Sequence, residues 1–349
     1  MATQTALAIT EVGKPLTVIS LPIPDPKKDD ILIKMTVVGL TPLDQKLRDY
    51  GLFDTAKRLP FILGFDLVGI VVKSGSSSPA FPIGSHIFAQ SPAPHFHNLA
   101  GGLRQYALVQ SYAAALVPEN ITDADAAVFP VNAFTSASAL FASTGEHAGF
   151  GFPFPGTLDS ETFDYKSKTV VIIGGGTACG KFAVQLARIA GIGRVIVTAS
   201  LSSEQELKSY GATHVLDRKA PDLEVQLRAL VGDDLLYLYD TFNMGDHSFS
   251  VSLLSNSKKG TVVHLLPGEV SEAVKAQKKA GYEERQLQGS SELHPELAGL
   301  FWKVFPKWVE NGEIQVLEYK TIEGLDSGKV NAALDGYRDG KFDRWHVRL

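Results

Sequence analysis

The sequence predicts an α/β chain of two domains: a β-rich first domain, then a second built on a doubly wound parallel sheet. Three observations predict it. Residues 1–130 carry short β-branched or alternating runs punctuated by Pro and Gly. From residue 168 onward, short apolar strands alternate with helical segments, the pattern of a parallel sheet covered on both faces. At residues 169–187 a strand runs into a glycine-rich turn and directly into a helix. The length, 349 residues, fits two domains.

Composition narrows the function classes. Hydrophobic residues make up 44% and charged residues 20%, an ordinary globular mix that argues against disorder. Lys and Arg number 33 against 38 Asp and Glu, and no basic stripe occurs, so neither nucleic acid nor an anionic membrane is the expected partner. The one cysteine, Cys179, excludes an internal disulfide and a zinc site built on several thiolates. Met1 to Thr5 show no basic segment leading into an apolar core, so no signal peptide is expected. No apolar run approaches the roughly 20 residues that span a bilayer. A soluble, cytoplasmic chain is the expectation.

The elements follow in order. Residues 5–9, 16–21, 30–40, 67–74 and 86–90 read as strands of a small barrel or sandwich. Residues 133–143 read as an Ala-rich helix, and 145–168, rich in Gly, Pro and Phe, as a long loop, either a buried lid or a surface insertion. Strands are expected at 169–173, 194–199, 214–216, 235–240 and 260–266. Helices are expected at 181–190, 204–210, 223–231 and 245–254. In the tail, 294–310 and 326–337 read as helices, and 314–319 and 344–349 as strands returning to the first domain.

The glycine-rich turn carries the chemistry. Gly175 and Gly180 occupy the first and last places of a G-x-G-x-x-G frame, with Thr177 at the middle place and Gly176, Ala178 and Cys179 between. A dinucleotide pyrophosphate must approach backbone N–H groups at a helix N-terminus, and side chains there would block it. Thr177 can offer a hydroxyl to a phosphate. A plain tight βα turn is the competing reading. Cys179 reads as a small packing residue or as a thiol activated by the helix dipole.

The next strand's end addresses which nucleotide. NAD binders place an acid there for the ribose 2′-hydroxyl. Here Ser200, Ser202 and Ser203 stand in a neutral loop, with no carboxylate until Glu204. That loop suits a 2′-phosphate, so NADPH is favoured over NADH. Lys208 and Arg218 lie nearby, as phosphate cations or as solvated surface charges.

Four further segments share a pattern. VVGLTPLDQKLRDYG (37–51), LPFILGFDLVGIV (59–71), GGLRQYALV (101–109) and YGATHVLD (210–217) resemble motifs of the medium-chain dehydrogenase/reductase superfamily. The resemblance extends over essentially the whole chain. It implies a GroES-like catalytic domain at residues 1–130, completed by 313–349, and a Rossmann domain at 131–312. Within the superfamily the chain looks most like zinc-free quinone and enoyl reductases, especially fungal trans-acting enoyl reductases. Zinc-dependent members carry a cysteine where Leu40 or Thr41 stands here, a histidine where Phe65 stands, and a four-cysteine lobe that is missing. A thiolate–imidazole zinc site is therefore not expected, and no metal is. His95 and His97 form an H-x-H pair with no evident third ligand and read as loop residues.

The resemblance implies hydride transfer to an activated C=C bond. Negative charge then develops on the carbonyl oxygen, where a few hydrogen-bond donors can stabilise it. Thr41, Lys46 and Tyr50 are the candidate donors, with Tyr50 the proton donor by chemistry. Tyr50 also reads as a packed rim aromatic, and Lys46 as a solvated charge. Asp44 matches the family Asp, either structural or a ribose contact. Thr135 resembles the threonine beside the nicotinamide. Phe242 follows one strand of the expected cofactor crevice, and Leu265 and Leu266 at the end of the next offer backbone groups to the carboxamide. Phe53, Phe96, Phe150, Phe152, Phe154 and Trp302 line an apolar substrate cleft between the domains or belong to the core. The expected partners are a small unsaturated carbonyl substrate and, if the enzyme is trans-acting, a polyketide synthase carrier domain. A homodimer through the sheet edge at 286–289 is a family expectation. The contrasting reading is an NADPH-binding protein without catalysis.

Overall fold

The computed structural model describes residues 2–27, 29–75, 80–92 and 100–349. His95, Phe96 and His97 lie outside the described residues.

The chain opens with β1 (Thr3–Ile9), β2 (Thr17–Pro22) and β3 (Asp30–Leu40), then helix α1 (Pro42–Tyr50). Strands β4 (Phe61–Ile62), β5 (Asp66–Ser74), β6 (His86–Gln90), β7 (Tyr106–Gln110) and β8 (Ala114–Leu116) follow, then α2 (Asp123–Ala126) and α3 (Pro130–Phe141). Local chemistry bounds α1. Pro42 stands in the first turn, where its missing N–H costs nothing, and Gly51 ends the helix in the left-handed region at φ 63°.

Helix α4 (Leu158–Thr162) interrupts the expected loop at 145–168. Then come β9 (Thr169–Ile173), α5 (Ala178–Ala190), β10 (Arg194–Ala199), α6 (Glu204–Tyr210), β11 (His214–Asp217), α7 (Leu223–Val231) and β12 (Tyr237–Asp240). The expected helix at 245–254 is shorter. Gly245 takes φ +86°, which no helix accommodates. It starts the two-residue strand β13 (Gly245–Asp246), and α8 (Ser248–Leu253) begins after it. The segment continues with β14 (Gly260–His264), β15 (Gly268–Glu269), which pairs with β13, α9 (Glu272–Gln277) and β16 (Tyr282–Gln286). The tail carries α10 (Pro295–Glu310), β17 (Lys320–Glu323), α11 (Ser327–Arg338) and β18 (Trp345–Arg348). Residues 314–319 form no strand; the tail strand beside β18 is β17.

Two compact units result. One comprises residues 1–131, 290–312 and 316–349, the other 132–289 and 313–315. The first holds a three-stranded sheet, β2-β1-β4, and a seven-stranded sheet ordered β17-β18-β3-β5-β6-β8 with β7 also on β3. Strand β18 pairs antiparallel with β3. Helix α10, which the sequence places in the 131–312 segment, groups with this unit. Its aromatic face explains the grouping: Phe305 lies 5.3 Å from Phe129, and Trp302 lies 5.7 Å from Phe88.

The second unit is a six-stranded sheet ordered β11-β10-β9-β12-β14-β16. Every pair in it is parallel. That is the doubly wound order, and the strand sequence reverses between β9 and β12. Val170, Val171 and Ile172 of β9 are completely buried, as a central strand covered on both faces requires. Among the described residues, no helix is long and apolar enough to cross a membrane.

Candidate functional site

Strand β9 ends where the order reverses, and the glycine-rich turn follows there. Gly174, which the G-x-G-x-x-G frame left out, takes φ +80°, and a Cβ on it would stand 2.6 Å from Thr241 Oγ1. A Cβ on Gly175 would meet Val197 Cβ at 2.7 Å, and one on Gly180 would meet the Gly174 carbonyl at 2.4 Å. These glycines let strand, turn and helix pack closely. Gly176 differs: it is exposed, and its missing side chain would have nothing nearer than Ser203 Oγ at 3.9 Å. The N–H groups of Gly176 and Ala178 have no acceptor among the described residues.

Thr177 is the N-cap of α5. Its Oγ1 accepts the N–H of Gly180 at 2.9 Å and lies 2.9 Å from Thr241 Oγ1. Thr241 turns its own hydroxyl to the carbonyls of Ile173 and Gly174, at 2.9 and 3.0 Å. Thr177 is then the donor to Thr241, and the hydroxyl expected to reach a phosphate is held inside the turn. Cys179 is half-buried; its carbonyl accepts from Ser136 Oγ at 2.7 Å, and its Sγ lies 3.5 Å from Asn132 Oδ1.

At the end of β10, Ser200 is exposed and its Oγ lies 2.9 Å from Ser202 Oγ. Ser203 reaches over Gly176. Lys208 pairs with Glu204 at 2.7 Å on the surface of α6, so its charge is already engaged. Arg218 donates its backbone N–H to Ala199 at 2.9 Å, which brings an exposed guanidinium residue to the end of β10. Asp217, not weighed from the sequence, stands in register beside Ala199. Its Oδ1 accepts the N–H of Lys219 at 3.0 Å.

The ends of β12 and β14 adjoin. Buried Asp240 takes the N–H groups of Phe242 and Asn243 on Oδ1, at 3.0 and 2.9 Å, and Ser250 Oγ on Oδ2 at 2.5 Å. It thereby shapes the turn that leaves Phe242 about half exposed. Leu265 donates its N–H to the Asp240 carbonyl at 3.2 Å, and the Leu266 carbonyl accepts from His264 Nδ1 at 2.9 Å. Thr135 on α3 is buried against Gly289, where a Cβ would come within 2.3 Å of its Oγ1.

In the first unit, Asp44 is completely buried. Its Oδ1 accepts from Gly64 N at 2.7 Å, and its Oδ2 from Thr41 N at 2.7 Å and Thr41 Oγ1 at 3.0 Å. Burial pushes this carboxyl up to about 6, against the pull of those hydrogen bonds. Asp44 thus clamps the start of α1 to the Leu63–Gly64 segment, and the Thr41 hydroxyl is spent on it. Asp66, which sequence reasoning missed, is likewise buried and accepts Val131 N at 2.6 Å. Burial pushes it well above the carboxylate range, with nearby Asp44 adding in the same direction. Lys46 is half-buried, and that burial lowers its ammonium pKa. Tyr50, four residues on, is 63% exposed.

Comparison with known proteins follows the same two-part division. Residues 27–119 match the alcohol dehydrogenase GroES-like domain, and residues 178–303 match the zinc-binding dehydrogenase family. A trans-enoyl reductase of Aspergillus terreus is 31% identical over 253 residues, covering 71% of this chain and 79% of that protein. The chain belongs to the medium-chain dehydrogenase/reductase superfamily. A trans-enoyl reductase of Alternaria alternata is 27% identical over 99% of this chain and 97% of its own. The crystal structure of an alcohol dehydrogenase superfamily protein from Novosphingobium aromaticivorans superposes with a TM-score of 0.75, at 25% identity and 99% coverage of both chains. The protein is accordingly an oxidoreductase of the medium-chain dehydrogenase/reductase type.

Within this medium-chain dehydrogenase/reductase chain, most of the candidate cleft aromatics are packing residues. Phe152 and Phe154 are buried, Phe152 against Tyr237 at 4.7 Å and Phe154 against Phe141 at 5.3 Å. Trp302 is buried and donates its ring N–H to Ser291 Oγ at 3.0 Å. Phe150 lies 5.3 Å from Tyr237, and Phe53 packs on the first unit's core. The start of the 145–168 segment is therefore packed structure, whereas α4 within it carries no buried residue. Phe150 N and Phe152 N bond back to the Ala139 and Leu140 carbonyls, at 2.7 and 3.0 Å, so the segment completes the end of α3.

Proposed function

We propose that this chain reduces activated C=C bonds with NADPH and without zinc. The hydroxyl-rich loop that follows β10 carries the reading. Ser200, Ser202 and Ser203 bring hydroxyls there, and Arg218 brings a guanidinium through its backbone bond to Ala199. A 2′-phosphate is received by such donors and repelled by a carboxylate. The residues of the turn fit a dinucleotide as well. Gly176 leaves open space, and the N–H groups of Gly176 and Ala178 at the start of a 13-residue helix suit a pyrophosphate. NADPH would supply the hydride.

The chain's own residues would do the rest. Thr135 and the backbone of Leu265 and Leu266 orient the carboxamide. Lys46, whose ammonium is half-desolvated, stabilises negative charge on the substrate carbonyl oxygen. Tyr50 stands one helical turn further as the proton donor. A zinc ion does not fit the superfamily's ligand positions: Leu40 and Phe65 are buried core residues with no ligand atom, and the hydroxyl of Thr41, the other residue at the cysteine position, is engaged with Asp44. The trans-enoyl reductase relatives support an enoyl substrate.

The test is a fluorescence titration of the chain with NADPH and NADH, followed by turnover on enone and carrier-bound enoyl substrates. NADPH should bind at least tenfold tighter, Ser200→Asp should erase that preference, and turnover should survive a zinc chelator. Tighter NADH would assign the ribose to Asp217 and overturn the NADPH reading. Tight cofactor binding with no turnover on any such substrate would overturn the reductase reading.

A further inference from the structure

We propose that His247, His264 and Glu284, which lie together in the second unit, form a binding site for a divalent ion of the zinc class. Three elements supply the three side chains. His247 is the residue before α8, His264 ends β14, and Glu284 lies on β16. His247 Nδ1 stands 3.0 Å from Glu284 Oε1, and His264 Nε2 stands 3.4 Å from it. All three ligand atoms lie within 4.8 Å of one another. A tetrahedral ion with bonds of about 2.0–2.1 Å holds its ligand atoms roughly 3.4 Å apart. The two distances to Glu284 Oε1 are already near that spacing.

The hydrogen bonds define what belongs between them. The Leu266 carbonyl can only accept, so His264 Nδ1 carries the proton of their 2.9 Å bond. In a neutral ring this leaves a lone pair on Nε2, facing the carboxylate oxygen of Glu284. Two lone pairs at that distance call for a cation between them. A bond from the other ring nitrogen to a carbonyl is also how metal-binding imidazoles are oriented. The His247 ring lies 4.0 Å from the His264 ring and is completely buried. His247 Nε2 has no partner among the described residues. Gly268 sits against that nitrogen, where a Cβ would come within 2.7 Å of it.

The ligand set selects the ion. Two imidazoles and one carboxylate suit zinc, cobalt, nickel or copper, whereas calcium and magnesium want mostly oxygen. Glu284 keeps its side chain 28% exposed, which gives an ion a way in and leaves a position for water. The bound ion would tie β14, β16 and the start of α8 together. None of the three side chains is among those assigned to hydride transfer or nucleotide binding.

The test uses the full chain stripped with a chelator, then titrated with Co²⁺ and Zn²⁺. One equivalent should bind, the cobalt form should show ligand-field bands without a thiolate charge-transfer band, and the melting temperature should climb with zinc concentration. Glu284→Gln and His247→Gln should each weaken binding at least tenfold. The double change His95→Asn and His97→Asn should leave it intact. Absence of stoichiometric uptake by the wild-type chain overturns the proposal, whatever the variants do. Undiminished uptake in folded Glu284→Gln and His247→Gln chains, or loss in the His95/His97 variant, overturns it as well.

Discussion

Asp44 Oδ1 accepts the backbone N–H of Gly64 at 2.7 Å, so one buried carboxyl joins the start of α1 to a segment twenty residues on. Its pKa of about 6 lies above the usual carboxylate value because burial outweighs its hydrogen bonds. The folded chain therefore holds this proton more tightly than the unfolded chain. The stabilisation is complete below about pH 4 and is lost as the pH rises through about 6, a change of ~3 kcal/mol. Asp44→Asn removes that slope and costs ~2 kcal/mol at low pH, because an amide cannot accept at both positions. Urea unfolding at pH 4.5 and 7.5 checks it: the wild-type chain should lose stability relative to the variant as pH rises. A gain would mean that the bonds from Gly64 and Thr41 outweigh burial.

What the sequence made legible was local. The strand, turn and helix at 169–190 could be read because every residue that shapes them lies within two dozen positions. Thr177 as a cap belonged to the same neighbourhood, and Ser or Thr ahead of a helix is a general signal. Its bond to Thr241 was out of reach, because 64 residues separate them and only the adjacency of β9 and β12 brings them together. His247, His264 and Glu284 were hidden for the same reason. Helix α10 was misplaced because its amphipathic pattern tells that it packs, not on what. Phe152 and Phe154 looked like cleft residues because nothing local distinguishes a buried aromatic from one lining a pocket.

Two glycines of the turn separate folding from binding. Gly174→Ala imposes a left-handed φ of +80° on a residue with a Cβ and drives that Cβ towards Thr241 Oγ1. It should cost ~2–3 kcal/mol in urea unfolding. Gly176→Ala meets open space, so stability should hold within ~0.5 kcal/mol. Its methyl would instead stand where a pyrophosphate must approach, and NADPH affinity should fall at least tenfold by fluorescence titration. Unchanged affinity in Gly176→Ala would move the phosphates elsewhere.

The two cations near the end of β10 should behave differently. Arg218 is exposed beside Ala199, whereas Lys208 is paired with Glu204. A charge-assisted bond to a phosphate is worth roughly 1.5–3 kcal/mol. Arg218→Ala should therefore weaken NADPH by roughly 10- to 100-fold and leave NADH unchanged. Lys208→Ala should alter neither by more than about twofold, since surface ion pairs contribute little. Parallel titrations with both nucleotides distinguish loss of a phosphate contact from general damage, which would weaken both.

Lys46 and Tyr50 lie four residues apart on α1, so both project from one side of the helix. Their surroundings differ. Lys46 is half-buried and its ammonium pKa is lowered by that burial, which brings it nearer the range where it gives up a proton; Tyr50 is mostly in water. A charge held in a partly desolvated place acts more strongly on a developing oxyanion than an exposed hydroxyl does. Lys46→Met should lower kcat on an enone roughly 10- to 100-fold with little change in KM. Tyr50→Phe should lower it only about twofold, because water can replace an exposed proton donor. The pH profile supplies the second readout: wild-type kcat should fall as the pH rises through the lowered ammonium pKa, and Lys46→Met should flatten that limb. A larger loss in Tyr50→Phe than in Lys46→Met would assign the proton to the tyrosine. It would also mean that Tyr50 leaves solvent when substrate binds.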